Sequence, residues 1–463
     1  MHSMTLYFVL LLVCYIGFMV WSVRRSDPAD NTDIRNLSAL VGMTTFAATL
    51  FSTFTLMGMP NFFRTHGVGA WLFLGVTDAA MAFIVLWFGL KVRAYSARND
   101  FNSISDVLNR AYGGKKAQVI YLAGLFVFLV PYVSIQLHGI SVFMGAVWGI
   151  PEWLLSLLIL VAIFSIIQFG GFRAIVRSDL VQWGMMFVTV WIIGCVCLDN
   201  LGGLDAGLAK IGGSNPAWLS TPGPKGLFGW EFLVASFMAI ALMPISQPQL
   251  AWRVSHFRSD TDLRLGAVGI GVLALLVILP TLFIGLYGAV AYAEASAPAF
   301  WKAVLVDEQH ALIGALAMLG LLAAAMSTAD SQLHALRREF IGNRSGREAL
   351  SLAILLVFFV AAYALSLMSS NELILLARIS FAGTALVAPM VLIAFLARGQ
   401  TSAGAIPWVA ATALLTFLVS TFGLIPSTVA GLRLDLLLIV ATFIVSFALH
   451  LRTPRENRVA LET

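Results

Sequence analysis

The stretch that decides the fold runs Ser52-Thr53-Phe54-Thr55-Leu56-Met57-Gly58-Met59-Pro60. It sits in an apolar run, 37–59, long enough to cross a bilayer, yet it carries hydroxyls, Gly58 and Pro60 where a plain membrane helix carries aliphatic side chains. A second such stretch, Leu242-Met243-Pro244-Ile245-Ser246-Gln247-Pro248, interrupts the apolar run 229–250. A helix broken at membrane depth frees carbonyls that can hold a cation and amides that can hold an anion. Two such breaks at matching positions predict a transporter built from two repeats, with its binding sites at the breaks. Pro and Gly are also common in ordinary membrane helices, so the pairing of the two stretches carries the reading, not either one alone.

The rest of the chain agrees. Of its 463 residues 60% are hydrophobic and 11% charged, and the mean hydropathy is +0.91. Soluble domains hold about 25% charged residues. These values exclude a soluble enzyme, a disordered chain and a single-anchor protein. Thirteen apolar segments are expected, near 4–23, 37–59, 67–90, 117–148, 151–170, 174–198, 229–250, 265–293, 310–336, 348–369, 372–397, 404–423 and 435–451. The first lacks a basic leader and is followed by Arg24 and Arg25, so it is expected to be a retained helix with the N-terminus outside. If all thirteen cross, 22 of the 28 Lys and Arg fall on the cytoplasmic side; five (Arg64, Lys210, Lys225, Lys302, Arg433) fall outside and Arg378 falls within a span. The formal charge of +5 then reflects loop orientation and gives no reason to expect a nucleic-acid partner. The expected class is an all-α polytopic membrane protein of the cell inner (plasma) membrane, with a cytoplasmic C-terminus. The broken segments are five apart and run in opposite directions, which predicts two inverted five-helix repeats. The expected organisation is 1–36 an extra helix and cytoplasmic loop, 37–200 the first repeat, 201–228 an extracellular loop, 229–400 the second repeat, and 401–463 two further helices and a tail.

Ionisable groups at membrane depth are costly and mark function. Asp330 lies in Ala323-Ala324-Ala325-Met326-Ser327-Thr328-Ala329-Asp330-Ser331-Gln332, where Ala324, Ser327, Thr328 and Ser331 share one helix face. Three hydroxyls with an adjoining carboxylate supply hard oxygen donors, suited to a hard cation. Ser and Thr also serve helix packing, which explains the hydroxyls but not Asp330. Asp179 is either a cation ligand or a partner of Arg173 or Arg177. Asp78 faces a substrate or caps polar groups near a vestibule. Arg378 is expected to snorkel or to pair with Glu372, with a substrate carboxylate as the lesser reading. Gln136, His138 and Gln247 are more often packing donors than ligand contacts. Cys14, Cys195 and Cys197 have no metal or disulfide spacing. There is no P-loop, HisGluxxHis or GlyxSerxGly motif, so no enzyme is expected and the energy source is expected to be an ion gradient.

Three stretches, 48–60, 323–332 and Gly170-Gly171-Phe172-Arg173-Ala174-Ile175-Val176-Arg177-Ser178-Asp179, resemble those of the sodium/solute symporter family, which includes bacterial sodium/proline, sodium/galactose and sialic-acid symporters. The resemblance covers nearly the whole chain. It implies the LeuT-type five-plus-five inverted repeat with about 13 transmembrane helices, and sodium-coupled uptake of a small organic solute by alternating access. It implies a first sodium site of the Ala48, Phe51 and Ala324 carbonyls with the Ser327 and Thr328 hydroxyls. It implies a second cation site of Asp179, Ser327, Asp330 and Ser331. Such members often carry Ser in place of Asp330, so that site could hold Na+ or a proton, and one or two ions could move. Substrate contacts would come from Ser52, Thr53, Phe54, Thr55, Asp78, Gln136, Met243 and Gln247, and from 380–385. Apolar Phe54, Ile240 and Met243, where sugar symporters are polar, favour a monocarboxylate or amino acid over a sugar. A monomer suffices for this work. The alternative is a membrane sensor module of the same fold; the dozen residues after 451 show no kinase motif, which counts against it.

Overall fold

The computed structural model describes residues 2–25, 36–99, 101–341, 348–369, 371, 373–396 and 404–453, side chains at 166–171, 341, 348 and 351 excepted; Glu372 and the tail beyond 453, both invoked above, lie outside them. The helices are α1 (His2–Arg24), α2 (Ala39–Leu50), α3 (Met59–His66), α4 (Thr77–Ser96), α5 (Ile104–Ala111), α6 (Lys115–Trp148), α7 (Glu152–Asn200), α8 (Leu204–Ser214), α9 (Trp230–Ala241), α10 (Met243–Ser246), α11 (Pro248–Ser255), α12 (Asp260–Ala291), α13 (Ala297–Lys302), α14 (Ala311–Ile341), α15 (Glu348–Met368), α16 (Leu373–Ala385), α17 (Ala388–Leu396), α18 (Ile406–Thr421) and α19 (Leu434–Leu451). Among the described residues eight helices are long and apolar enough to cross a bilayer, and two bent pairs could each make one more span. Shorter apolar helices at Glu152–Ser165, Leu352–Met368 and Ile406–Thr421 complete the apolar segments expected from the sequence. This is a multi-pass membrane protein.

Helix starts follow side-chain chemistry. Ser38, Ser103 and Ser259 each accept an amide of the first turn of α2, α5 and α12. α6 stops at Gly149, whose φ of 71° suits a residue without Cβ.

Both expected breaks are present. α2 and the continuation Phe54–His66 meet at 64°, and Trp230–Ser246 meets α11 at 58°. In the second, Gln247 is extended (φ −100°, ψ 118°) because the ring of Pro248 excludes it from helical backbone. In the first, the break lies at Phe51 (φ −91°, ψ 125°), not at Gly58 or Pro60. Gly58 ends a wide π-helical turn, Phe54–Gly58, and Pro60 stands in the first turn of α3, where proline is tolerated.

The two broken helices run antiparallel. The amide of Leu37, at the start of the first, donates to His256 O at the end of the second (3.0 Å), and Arg258 N donates back to Leu37 O (3.0 Å). At the other end, Phe62 and His66 meet Phe228, just ahead of α9, edge to face. An inverted pair of repeats requires this arrangement. α14 lies against α1, α2, α6, α7 and α11, which makes it the central wall facing both breaks.

Two expectations need correction. The fifth and sixth apolar segments are not separated by a loop: helical backbone runs through both, from Glu152 to Asn200. A straight helix of that length would span about 73 Å, more than twice a bilayer core. Contacts show that the chain reverses. Trp153 O accepts from Tyr363 and Phe164 stacks on Phe359, while Ala174 O accepts from Ser22, at the far end of α1, and Gly194 abuts Pro280. The long connection 201–228 is also not bare loop, since it holds α8 and a short 3-10 turn, Pro216–Leu219.

Candidate functional site

The first break diverts amides and leaves carbonyls. Phe51 N still reaches Ala47 O (2.8 Å), but Ser52 N turns to Thr55 Oγ1 (3.0 Å) and Thr53 N to Gln136 Oε1 (3.2 Å). The carbonyls of Ala48, Thr49 and Leu50 are thereby released from the helix ladder. Each meets a hydroxyl from another helix. Ser327 Oγ donates to Ala48 O (3.0 Å), Thr328 Oγ1 to Thr49 O (3.3 Å) and Tyr132 Oη to Leu50 O (3.0 Å). Ala324 stands one turn before Thr328 on α14, and Phe51, Ala324, Ser327 and Thr328 are all at most 2% exposed. Neutral carbonyls and hydroxyls in a buried seam, with a carboxylate behind them, fit a hard monovalent cation. Among the described residues no group of three or more His, Cys, Asp or Glu comes together as a metal site, so softer metals find no ligand set there.

The carboxylate is Asp179, on α7. Its Oδ1 lies 2.6 Å from Ser327 Oγ, whose one proton serves either this carboxylate or Ala48 O. Its Oδ2 accepts from Thr45 Oγ1 and from Arg253 Nη2 (2.9 Å). Neither Arg173 nor Arg177 supplies that ion pair. The Arg253 guanidinium comes from α11 and is buried among the very groups expected to hold a second cation: Nη2 also donates to Ser331 Oγ (2.7 Å), and Nε to Thr45 Oγ1 (3.1 Å). Asp330 is wholly buried beside them. Its Oδ1 accepts weakly from Ser331 (3.4 Å) and its Oδ2 has no partner among the described residues.

The expected substrate residues divide. Gln136 spends its amide on structure, bracing Thr53 N and donating to Tyr132 O (3.1 Å). Gln247 Nε2 donates to Thr384 Oγ1 (3.0 Å) and its Oε1 accepts from Gln249 (2.7 Å), so it ties the second break to 380–385. Thr55 braces Ser52, while the hydroxyls of Thr53 and Ser380 are buried without a partner among the described residues. Phe54, Tyr132 and Phe381 form an aromatic wall, with ring centroids 6.0 and 5.1 Å apart. Met243 is buried. Asp78 is 5% exposed and makes no hydrogen bond or ion pair with a described residue, while lying within electrostatic reach of Tyr132. His138 bonds Ser366 O and Asn371, a packing role between α6 and α15.

Arg378 finds another partner, and the pairing expected with Glu372 lies outside the described residues. It is buried, pairs with Asp435 of α19 (2.6 Å) and donates to Ser236 of α9 (2.7 Å), over the ring of Phe232. It neither snorkels nor stands free for a substrate carboxylate.

Arg253, Thr45, Thr49 and Tyr132 were not singled out from the sequence. By sequence Arg253 falls among the 22 cytoplasmic-side charges, because the apolar run stops at 250. Its spacing of four from Gln249 would have put it on the same face of a helix restarting at Pro248. Thr45, Thr49 and Ser52 form a hydroxyl stripe at i, i+4, i+7 that matches the one on α14.

Comparison with known proteins agrees with this fold. The model of the sodium:solute symporter family matches residues 34–410. The sodium/pantothenate symporter of Haemophilus influenzae is 23% identical over 350 residues, 71% of this chain and 70% of that protein. The high-affinity proline transporter PutP of Bacillus subtilis is 24% identical over 395 residues, 80% of this chain and 82% of that one. Among solved structures, a Na+-coupled sialic acid symporter in a substrate-bound outward-open state superposes with a TM-score of 0.77 at 13% identity, covering 97% of this chain and 96% of its own. MhsT in complex with L-phenylalanine gives 0.54 at 14% identity, over 92% and 99%. The fold is thus the LeuT-type helical fold.

Proposed function

Since the chain belongs to the sodium:solute symporter family, whose work is sodium-coupled symport of a small solute, we propose that it carries a small amino acid or monocarboxylate into the cell by alternating access. The observation that carries the sodium site is the pairing of Ser327 and Thr328 with carbonyls freed at the break of α2. Sodium enters there as a co-transported substrate, with the carbonyls of Ala48, Phe51 and Ala324 and the hydroxyls of Ser327 and Thr328 as its ligands. When the ion sits between Ala48 O and Ser327 Oγ, the Ser327 hydroxyl donates its one proton to Asp179 Oδ1. The ion then holds α2 against α14, and loss of the ion lets them part.

The solute lies beside the break, among Ser52, Thr53, Phe54, Asp78, Tyr132, Met243 and Ser380. The unpaired Asp78 favours a solute with an ammonium group, hence an amino acid over a monocarboxylate. Gln136 and Gln247 shape this pocket by fixing the two breaks. Asp179, Ser327, Asp330 and Ser331 form the acidic floor of the sodium site, and any second sodium or proton there competes with Arg253 for the same oxygens. The end of the bundle that holds Arg253 is read as cytoplasmic, which places the N-terminus outside, the C-terminus inside and all thirteen apolar segments across the plasma membrane. One charge moving through 100 mV supplies about 2.3 kcal/mol, roughly 50-fold in solute accumulation.

The test is uptake of labelled amino acids and monocarboxylates into proteoliposomes under an inward sodium gradient, against potassium. Sodium-driven accumulation of at least one solute is expected; equal flux with either cation for every solute would reject the reading.

A further inference from the structure

We propose that Arg253 is a tethered cation that fills the seat of a second sodium ion, so that one molecule of this transporter binds a single sodium. The inference rests on the sodium reading above and deepens it. The seat is defined by oxygens from three elements: Thr45 on α2, Asp179 on α7, and Asp330 and Ser331 on α14, with Arg253 entering from α11. A sodium ion placed there would need the Asp179 carboxylate and the Ser331 hydroxyl. Arg253 Nη2 takes both, at 2.9 and 2.7 Å, Nε takes Thr45 Oγ1 at 3.1 Å, and Nη1 is tied to Gln249 O at 3.0 Å. A guanidinium keeps its charge under all physiological conditions and presents its donors in a fixed fork. Because the side chain is 2% exposed and bonded on three sides, an ion cannot share these oxygens without expelling it.

The arrangement also explains how one ion is enough. Arg253 belongs to the half-helix that follows the second break, and Thr45 to the half-helix that precedes the first. The guanidinium therefore ties both moving halves to α7 and α14. Elsewhere this bridging would be the work of a second cation. Here it is covalently attached, and Asp179 relays it to the first site through Ser327 at 2.6 Å.

The experiment is equilibrium binding of 22Na+ to the purified full-length protein in detergent, without solute. The wild type is expected to bind one sodium with a Hill coefficient near 1. Arg253→Gln, which frees Asp179, Ser331 and Asp330, is expected to bind two, with the coefficient rising toward 2. Arg253→Lys keeps a charge in the seat and is expected to remain at one. Two sodium ions on the wild type, or one on an Arg253→Gln protein that elutes as a monodisperse peak, would overturn the proposal. Should Arg253→Gln fail to fold, the wild-type and lysine counts decide. No sodium bound to the wild type at all would instead sink the symporter reading on which the inference stands.

Discussion

Arg253 and Asp179, 74 residues apart in sequence, form an ion pair of 2.9 Å in which neither side chain is more than 2% exposed. Burying two charges costs several kcal/mol for each, and only their mutual attraction and further hydrogen bonds offset that cost. Removing one partner therefore leaves an uncompensated charge. Asp179→Asn and Arg253→Gln should each lower stability by about 3–5 kcal/mol. The double variant should lose clearly less than the two losses combined, because neither member of the pair is then left without the other. Thermal unfolding of the three proteins in detergent checks this. Added sodium should recover part of the loss in Arg253→Gln alone, since there the ion can replace the missing charge. Additive losses would mean the two groups do not depend on each other.

Ser327 and Thr328 should control sodium affinity. Thr328→Ala removes one ligand and leaves the Thr49 carbonyl without its hydroxyl partner. The half-saturating sodium concentration for uptake should rise about tenfold, equivalent to about 1.4 kcal/mol. Ser327→Ala should do more, because it also strips Asp179 of a hydrogen bond. By reciprocity, solute affinity measured at low sodium should weaken, and saturating sodium should restore it. Unchanged sodium activation in both variants would remove these residues from the site.

Asp78 should act on the solute and not on sodium. It is buried and has no ion-pair partner among the described residues. Asp78→Asn keeps its shape and removes its charge. For an amino-acid substrate, loss of the contact with the ammonium should raise the solute KM about tenfold or more while leaving the ion count unchanged. For a monocarboxylate lacking an amino group the same change should be neutral or favourable. Solute KM measured for matched pairs with and without the amino group separates the two.

The Arg378–Asp435 pair has a different task. It joins α16 to α19 and, through Ser236, to α9. Asp435→Asn should lower thermal stability by about 3–5 kcal/mol. It should leave 22Na+ affinity within about twofold in the protein that remains folded, since neither residue touches the first break. A large change in sodium affinity at unchanged stability would make this pair part of the transport machinery.

Much of this was legible from residue types alone. Apolar runs located the helices because a bilayer fixes their length, and the Gln247–Pro248 break followed from proline stereochemistry. The hydroxyl stripe at Ser327, Thr328 and Ser331 followed from helical spacing. The first break lies nine residues before Pro60, the proline of that stretch. Nothing in Phe51 forces extended backbone; tertiary partners, Gln136 on Thr53 N and hydroxyls on Ala48 and Thr49 O, hold the chain open there. The fate of Arg253 was hidden for the opposite reason. A charge near the end of an apolar run satisfies orientation rules equally well in a loop or folded back into the protein, and only the restarted helix decides. The two passes of α7 were legible as the separate apolar segments 151–170 and 174–198.

The first break also depends on a residue with no polar group. α6 passes so close to it that a Cβ on Gly139 would lie 2.5 Å from Thr53 Cγ2, with Leu373 Cδ1 next at 3.4 Å. No real contact tolerates the first distance, and Thr53 is buried with its amide already held by Gln136. Gly139→Ala must therefore push Thr53 and, through it, the carbonyls of Ala48 and Thr49. The variant should bind sodium more weakly by about tenfold, although the mutated residue touches neither ion nor solute. Thr53→Ser removes the very methyl group that obstructs, leaving only ordinary contacts around the new Cβ. The double variant Gly139→Ala/Thr53→Ser should thus recover sodium affinity to within about threefold of the wild type, with Thr53→Ser alone close to normal. 22Na+ binding on the four proteins tests this. If the serine fails to rescue, the close approach of α6 is not what sets the shape of the break.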